Sequence, residues 1–299
     1  MNVVEHDQRL RGELRINEPM AAHTSWRVGG PARRFYRPAD MDDLAAFMLT
    51  LPEDEPLYWV GLGSNLLVRD GGLAGTVIAV HRALGGLEHE ADGRVLAGAG
   101  VPCARIARQS VKWGLSGGEF FAGIPGTLGG ALAMNAGAFG GETWGRVTAV
   151  QVMNRHGALR WRQSEDYQVG YRSVTGPADE WFVAARLQFQ MDAAGDGREQ
   201  IRAMLTRRNA TQPTGQASCG SVFRNPPGDH AARLIEAAGL KGLRVGGASV
   251  STKHANFIIN TGDACAADME RLIEQVRDSV EQQFGVTLIP EVRIVGEAG

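Results

Sequence analysis

Apolar side chains recur at spacings of three and four along residues 266–284. Met269, Leu272, Ile273, Val276, Val280 and Phe284 share one face of a helix, and Gly285 ends it. Helices are also predicted over 40–51, capped by Asp40, and over 102–113, with proline near the first turn and Gly114 past the end. Two more fall at 199–209 and at 231–238, the latter followed by Gly239. Short apolar runs predict strands at 57–60, 76–80, 94–97, 147–153, 158–161, 181–190 and 256–260. A closing strand is expected over 286–295, interrupted at Pro290-Glu291. The polar, glycine-containing run 191–198 marks a boundary. The pattern mixes helices with many strands.

Composition narrows the class. In 299 residues, 43% are hydrophobic and 21% charged, enough apolar material for a sizeable core. Lys plus Arg number 31 against 33 acidic residues, a net charge of -2, so no basic field exists to collect nucleic acid or an anionic membrane. Cys103, Cys219 and Cys265 are far apart, which argues against a disulfide framework or zinc site and fits a reducing compartment. The histidines show no metal-ligand spacing, so no metal is assigned. The start, Met1 to Asp7, lacks the basic-then-apolar order of a secretory leader, and a cytoplasmic location is expected. Residues 120–141 carry no charge, but their proline, asparagine and glycines make them a loop rather than a membrane span.

Nine of the 40 glycines fall between Gly117 and Gly141. Such density suits backbone that turns with positive φ or lies against a ligand. Neither a dinucleotide fingerprint nor a P-loop is present: Leu66 and Cys103 stand where the third glycine would follow Gly61-Leu62-Gly63 and Gly98-Ala99-Gly100. Two stretches, 61–65 and 122–130, can still cradle one diphosphate through backbone N–H groups. Gly114-Leu115-Ser116-Gly117-Gly118 matches the hydrolase elbow in letters, but a predicted helix precedes the serine where a strand is required. Ser221, Glu291 and Arg172 stand among glycines, prolines or aromatics. Taken singly they read as a helix cap, a surface carboxylate and a solvated arginine. Cys219 reads as a small buried thiol rather than a nucleophile.

In order along the chain stand TSWRVGGPA (24–32), GLGSNLLVRD (61–70), FAGIPGTLGGALAMNAG (121–137), Tyr171-Arg172-Ser173, GSVFRNP (220–226), AGLK (238–241), HANFIIN (254–260) and Pro290-Glu291-Val292-Arg293. This series resembles the UDP-N-acetylmuramate dehydrogenase family, also called UDP-N-acetylenolpyruvoylglucosamine reductase, in its shorter subtype. The resemblance implies a p-cresol methylhydroxylase-type FAD-binding fold of two α+β subdomains, 1–80, to which about 290–299 would return, and 81–198, with a third α+β domain, 199–299, for the substrate. It implies non-covalent FAD held by Thr24, Arg27, Gly29, Gly61, Gly63, Ser64, Asn65, Gly123, Pro125, Gly126, Thr127, Gly129 and Gly130.

The implied reaction is reduction of UDP-N-acetylglucosamine enolpyruvate. Hydride from NADPH reaches C3 of the enolpyruvyl ether by way of flavin N5, and the charge pushed onto the neighbouring carboxylate makes an enediolate. Arg172 would face that charge with a proton-bearing Glu291, and Ser221 would protonate C2. Tyr171, Arg224 and Asn225 would contact the substrate. One departure stands out: the family commonly has serine two residues after the arginine, whereas here Ser173 follows directly and Val174 holds that place. The expected ligands are the enolpyruvyl sugar and NADPH in alternation, with no nucleic acid, no membrane insertion and a monomeric chain. Two other readings of the same loops are an FAD-dependent oxidase of a small alcohol or sugar, and a non-catalytic nucleotide-binding protein.

Overall fold

The computed structural model describes residues 10–299, so Met1 to Asp7 lie outside the described part. Six α-helices are found among the described residues: α1 (Met41–Met48), α2 (Cys103–Lys112), α3 (Leu128–Met134), α4 (Gly197–Thr211), α5 (Ala231–Ala237) and α6 (Ala266–Phe284). The chain divides into two compact, interleaved units. One comprises the described residues up to Ile16 with Arg34–Gly61 and Gly75–Leu205, and the other Asn17–Arg33, Leu62–Ala74 and Thr206–Gly299. None of the described helices is long and apolar enough to cross a membrane.

The first unit is built around a five-stranded antiparallel sheet in the order Leu159–Gln163, Val147–Asn154, Glu180–Gln188, Arg94–Gly98 and Leu87–His89. Val95, Ala97, Val150, Val152, Ala185 and Leu187 join one core with residues of α2 and α3. Met153 and Val183 join a second core with Tyr36, Leu44, Phe47 and Met48. Burial of both faces explains why these strands read as apolar runs rather than as alternation. In the four-stranded sheet, Leu57–Val60 runs parallel to Leu73–Ala79.

Asp40 caps α1 as its sequence promised, its carboxylate accepting from Asp43 N–H at 3.0 Å. Asp43 is buried and accepts from Tyr36 Oη (2.7 Å), Arg11 N–H (2.6 Å) and Ala39 N–H (2.9 Å). Burial raises the Asp43 pKa, but these donors outweigh it and leave the carboxyl below its ordinary value of 3.8. A depressed pKa stabilises the fold above the ordinary carboxylate range, and that contribution is lost as pH falls through the folded value. Asp43→Ala strands three donors and is expected to cost roughly 3 kcal/mol at neutral pH, read by denaturant unfolding. The deficit should shrink in acid below pH 3.8, where wild type loses the same interaction. A variant as stable as wild type at pH 7 would refute this account of Asp43.

In the second unit, the antiparallel sheet Arg244–Val245, Ala248–Val250, Ile258–Asn260 shares a core with α5 and α6. Helix α6 has the predicted bounds and buries Met269, Leu272, Ile273, Val276 and Val280. Phe284 is a correction: it is 40% exposed, because the last turn outruns the core, whose final helical member is Val280. The carboxylate of Asp70 accepts from Ala266 N–H and Ala267 N–H, both at 2.9 Å, so the last residue of the GLGSNLLVRD motif anchors the start of α6. Arg69 pairs with Glu270 at 2.7 Å.

The closing strand is shorter than expected, only Arg293–Val295, pairing parallel with Leu66–Val68. The residues before it pair elsewhere: Pro290 bridges Phe223, and Glu291 N–H donates to Val222 O at 2.7 Å. The sequence pattern also passes over α3. Gly129 and Gly130 disfavour a helix there, and tertiary bonds from Leu128 N–H to Val101 O (2.9 Å) and Gly129 N–H to Ala99 O (2.8 Å) hold its first turn.

Candidate active site

In the first unit the glycine-rich stretches meet at Thr127. This residue is the N-cap of α3, is buried, and makes no capping bond. Its Oγ1 has no hydrogen-bond partner among the described residues. A Cβ on Gly61 would lie 2.1 Å from that oxygen, which sets the end of strand Leu57–Val60 against the N-terminus of α3. Pro102 bridges Thr127, and Gly126 O accepts from Cys103 N–H at 2.9 Å, fixing the Gly123-Ile124-Pro125-Gly126 turn on α2. Gly123 packs under the Phe139 ring, where a Cβ would come within 2.5 Å, and Gly129 lies against Ala99. Nothing stands within 4 Å of a Cβ on Gly130. A buried hydroxyl without a partner, beside glycine backbone and open room, suits a diphosphate held by neutral dipoles, and so fits FAD.

Overpacking such a contact costs about 1–3 kcal/mol. Gly61→Ala is therefore expected to retain FAD roughly ten- to a hundredfold more weakly. The flavin-to-protein absorbance ratio after dialysis measures it, and an unchanged ratio would remove Gly61 from the cofactor site.

The second unit holds the other cofactor candidates. Thr24 Oγ1 donates to Val28 O at 2.8 Å, and Ser25 N–H donates to Gly63 O at 3.1 Å. Arg27 (φ 59°) and Gly29 (φ 128°) turn this segment, and a Cβ on Gly63 would lie 2.0 Å from His23 O. Ser64 and Asn65 follow, and Asn65 reaches the catalytic candidates. Its Nδ2 donates to Glu291 O at 3.0 Å, and its carbonyl accepts from Arg293 N–H at 3.1 Å.

Ser221 and Glu291 are brought together by backbone pairing. Val222 O accepts from Glu291 N–H, and Val222 N–H donates to Asn256 O at 2.9 Å. Asn256 clamps the turn further: its Oδ1 accepts from Phe223 N–H (2.9 Å) and its Nδ2 donates to Phe223 O (2.8 Å). Gly220 (φ 80°) supplies the left-handed step between buried Cys219 and half-buried Ser221. Burial holds the Cys219 thiol well above its ordinary pKa, so it stays protonated and unreactive. Arg224 Nε is buried with no partner among the described residues. Asn225 is exposed and its Oδ1 accepts from Ala231 N–H at 3.1 Å, at the start of α5. Sequence reasoning missed the clamp of Asn256, whose only signal was its place in the HANFIIN motif.

Arg172 belongs to the first unit. It sits at the tip of a hairpin, Gln168–Gly170 against Ser173–Thr175, with Gly170 opposite Ser173. Its φ is 53°, and its guanidinium turns inward: Nη1 donates to Asn135 O and Nη2 to Gly137 O, both at 3.1 Å. Exposed Tyr171 lies beside it, the guanidinium carbon 5.0 Å from the ring centre. Val174, at the position of the departure, packs against the core of this unit. Ser116 follows α2 in a two-residue strand, Leu115–Ser116, so no strand-to-helix elbow presents it. Among the described residues no three His, Cys, Asp or Glu side chains are grouped to hold a metal ion.

Residues 212–295 match the family described as UDP-N-acetylenolpyruvoylglucosamine reductase, C-terminal domain, and residues 32–162 match the FAD binding domain. A UDP-N-acetylenolpyruvoylglucosamine reductase of Alkalilimnicola ehrlichii is 66% identical over 287 residues, 96% of each chain. One of Methylococcus capsulatus is 62% identical, over 96% of this chain and 95% of the other. The crystal structure of UDP-N-acetylenolpyruvylglucosamine reductase from Thermus caldophilus superposes with a TM-score of 0.80 at 32% identity, covering 95% of this chain and 99% of that one.

Proposed function

The chain belongs to the UDP-N-acetylenolpyruvoylglucosamine reductase family, in its shorter form, and on that premise we propose how its own residues reduce UDP-N-acetylglucosamine enolpyruvate to UDP-N-acetylmuramate. It is a flavin oxidoreductase of peptidoglycan precursor synthesis with the α+β, p-cresol methylhydroxylase-type FAD-binding fold. FAD, when bound, supplies the relay that takes hydride from NADPH and delivers it from N5 to C3 of the enolpyruvyl group.

The remaining steps fall to side chains. Arg172 places a cation where negative charge develops on the substrate carboxylate, and Glu291 offers a proton-bearing carboxyl to the same enediolate. Ser221 gives C2 its proton, a weak acid made competent by a strongly basic carbon. The observation that carries this reading is the backbone pairing that sets Ser221 beside Glu291 around Val222. Thr24, Arg27, Gly29, Gly61, Gly63, Ser64, Asn65, Gly123, Pro125, Gly126, Thr127, Gly129 and Gly130 hold the cofactor. Tyr171, Arg224 and Asn225 hold the sugar nucleotide, and the buried Arg224 Nε supports that role.

NADPH and the enolpyruvyl sugar take turns as ligands of a monomeric, cytoplasmic enzyme that neither binds nucleic acid nor enters a membrane. The division into 1–80, 81–198 and 199–299 forms part of the same proposal. Steady-state NADPH consumption should require the enolpyruvyl sugar and yield UDP-N-acetylmuramate in equal amount. Consumption driven by oxygen without the sugar would instead support the oxidase reading.

A further inference from the structure

A diphosphate accounts for only the first half of the glycine-rich segment. Beyond it, Asn135 closes α3 in a left-handed conformation (φ 47°, ψ 53°). Gly137–Ala138 then folds back on Gly141–Glu142, with Gly137 opposite Glu142 and Ala138 opposite Gly141. Phe139 and Gly140 both have positive φ, the combination that closes a two-residue hairpin with the right twist. This hairpin sets the Glu142 carboxylate beside Arg172, Oε1 to Nη1 3.7 Å. Asn135 fixes the other carboxylate oxygen. Its Nδ2 donates to Glu142 Oε2 at 2.9 Å and to Gly170 O at 3.2 Å, while its Oδ1 accepts from Trp144 N–H at 3.1 Å. Gly137 must lack a side chain, since a Cβ there would lie 2.5 Å from Gly141 O and 3.3 Å from Arg172 Nη1.

Resting on the reading of Arg172 as the cation of the reaction, we propose that Glu142 and Asn135 are its positioning residues. Gln168, Val169, Gly170 and Tyr171 are exposed, yet the Arg172 side chain is only 15% exposed. A left-handed, non-glycine residue whose side chain folds back from a solvated hairpin tip is held by its surroundings, and such strained positions gather at functional sites. Two carbonyls fix the plane of the guanidinium fork, and the part-exposed Glu142 carboxylate, held at its other oxygen by the buried Asn135 amide, fixes its direction. A displaced cation would meet the developing enediolate poorly, and a misplacement of about 1 Å costs on the order of a hundredfold in rate.

The test separates two half-reactions of the FAD-loaded enzyme by stopped flow: bleaching of the flavin by NADPH, and return of its colour on adding the enolpyruvyl sugar. Glu142→Gln keeps shape and an acceptor for Asn135 but removes the charge, and Glu142→Ala removes both. The bleaching rate should stay within about twofold of wild type, while the colour return slows about tenfold in Glu142→Gln and roughly a hundredfold in Glu142→Ala. In steady state the loss should fall on kcat more than on KM, and Glu142→Asp should recover part of it. Wild-type rates in both half-reactions, or equal slowing of both, would overturn the inference. Arg172→Lys is measured alongside. If it too returns colour at the wild-type rate, the reading of Arg172 falls and takes the inference with it. If it is slow while Glu142→Ala is normal, only the inference falls.

Discussion

Ser221→Ala is expected to lower turnover roughly 10²- to 10⁴-fold, the range for loss of a positioned proton donor. The fold should survive, because Ser221 is half-buried and the substitution removes a single hydroxyl. Gly220, Asn256 and the pairing of Val222 with Glu291 hold the turn through backbone atoms that the substitution leaves in place. The loss should appear only after the sugar is added. Bleaching by NADPH needs no proton at C2, so its rate should match wild type. A variant with full turnover would mean that C2 takes its proton from another group, and would return Ser221 to the role of a turn residue.

Arg172→Ala is expected to cost about 10²- to 10³-fold in kcat/KM for the sugar, as removal of one charge-stabilising donor does elsewhere. The guanidinium is placed by its hydrogen bonds to the carbonyls of Asn135 and Gly137, and lysine, a point charge without the planar fork, cannot reproduce both. Arg172→Lys should therefore fall between wild type and alanine. Because the arginine acts on charge that develops late, kcat should suffer as well as KM. An effect confined to KM would make Arg172 a simple anchor for the substrate carboxylate.

Much of the frame was legible because it is local. Periodicity gave α6 its bounds, and Asp40 marked the start of α1. Helix α3 was not legible, since glycines that weaken a helix serve close backbone approach there, and its first turn hangs on Ala99 and Val101. Likewise no pattern in residues 286–295 shows that Pro290 and Glu291 leave strand geometry to meet Phe223 and Val222.

Glycine density pointed to the loops proposed for the cofactor, yet gave no hint that its second half seats an arginine. That seat depends on left-handed φ at Asn135 and Phe139 and on the part-exposed carboxylate of Glu142, which nothing in the sequence sets apart. Ser221, Glu291 and Arg172 each had a bland reading. The order of motifs joined them into a set, and the structure adds the bond from Glu291 N–H to the carbonyl of Val222, next to Ser221, and the inward turn of Arg172.

Passage of reducing equivalents from NADPH through FAD to an enolpyruvyl sugar nucleotide can be followed in the visible spectrum of the purified protein without oxygen, recorded before NADPH, after NADPH, and after the sugar. The flavin spectrum should bleach with NADPH and return when UDP-N-acetylglucosamine enolpyruvate is added. A colourless protein that cannot be reconstituted with FAD, or a bleached flavin that stays bleached with the sugar and recovers only in air, would contradict it.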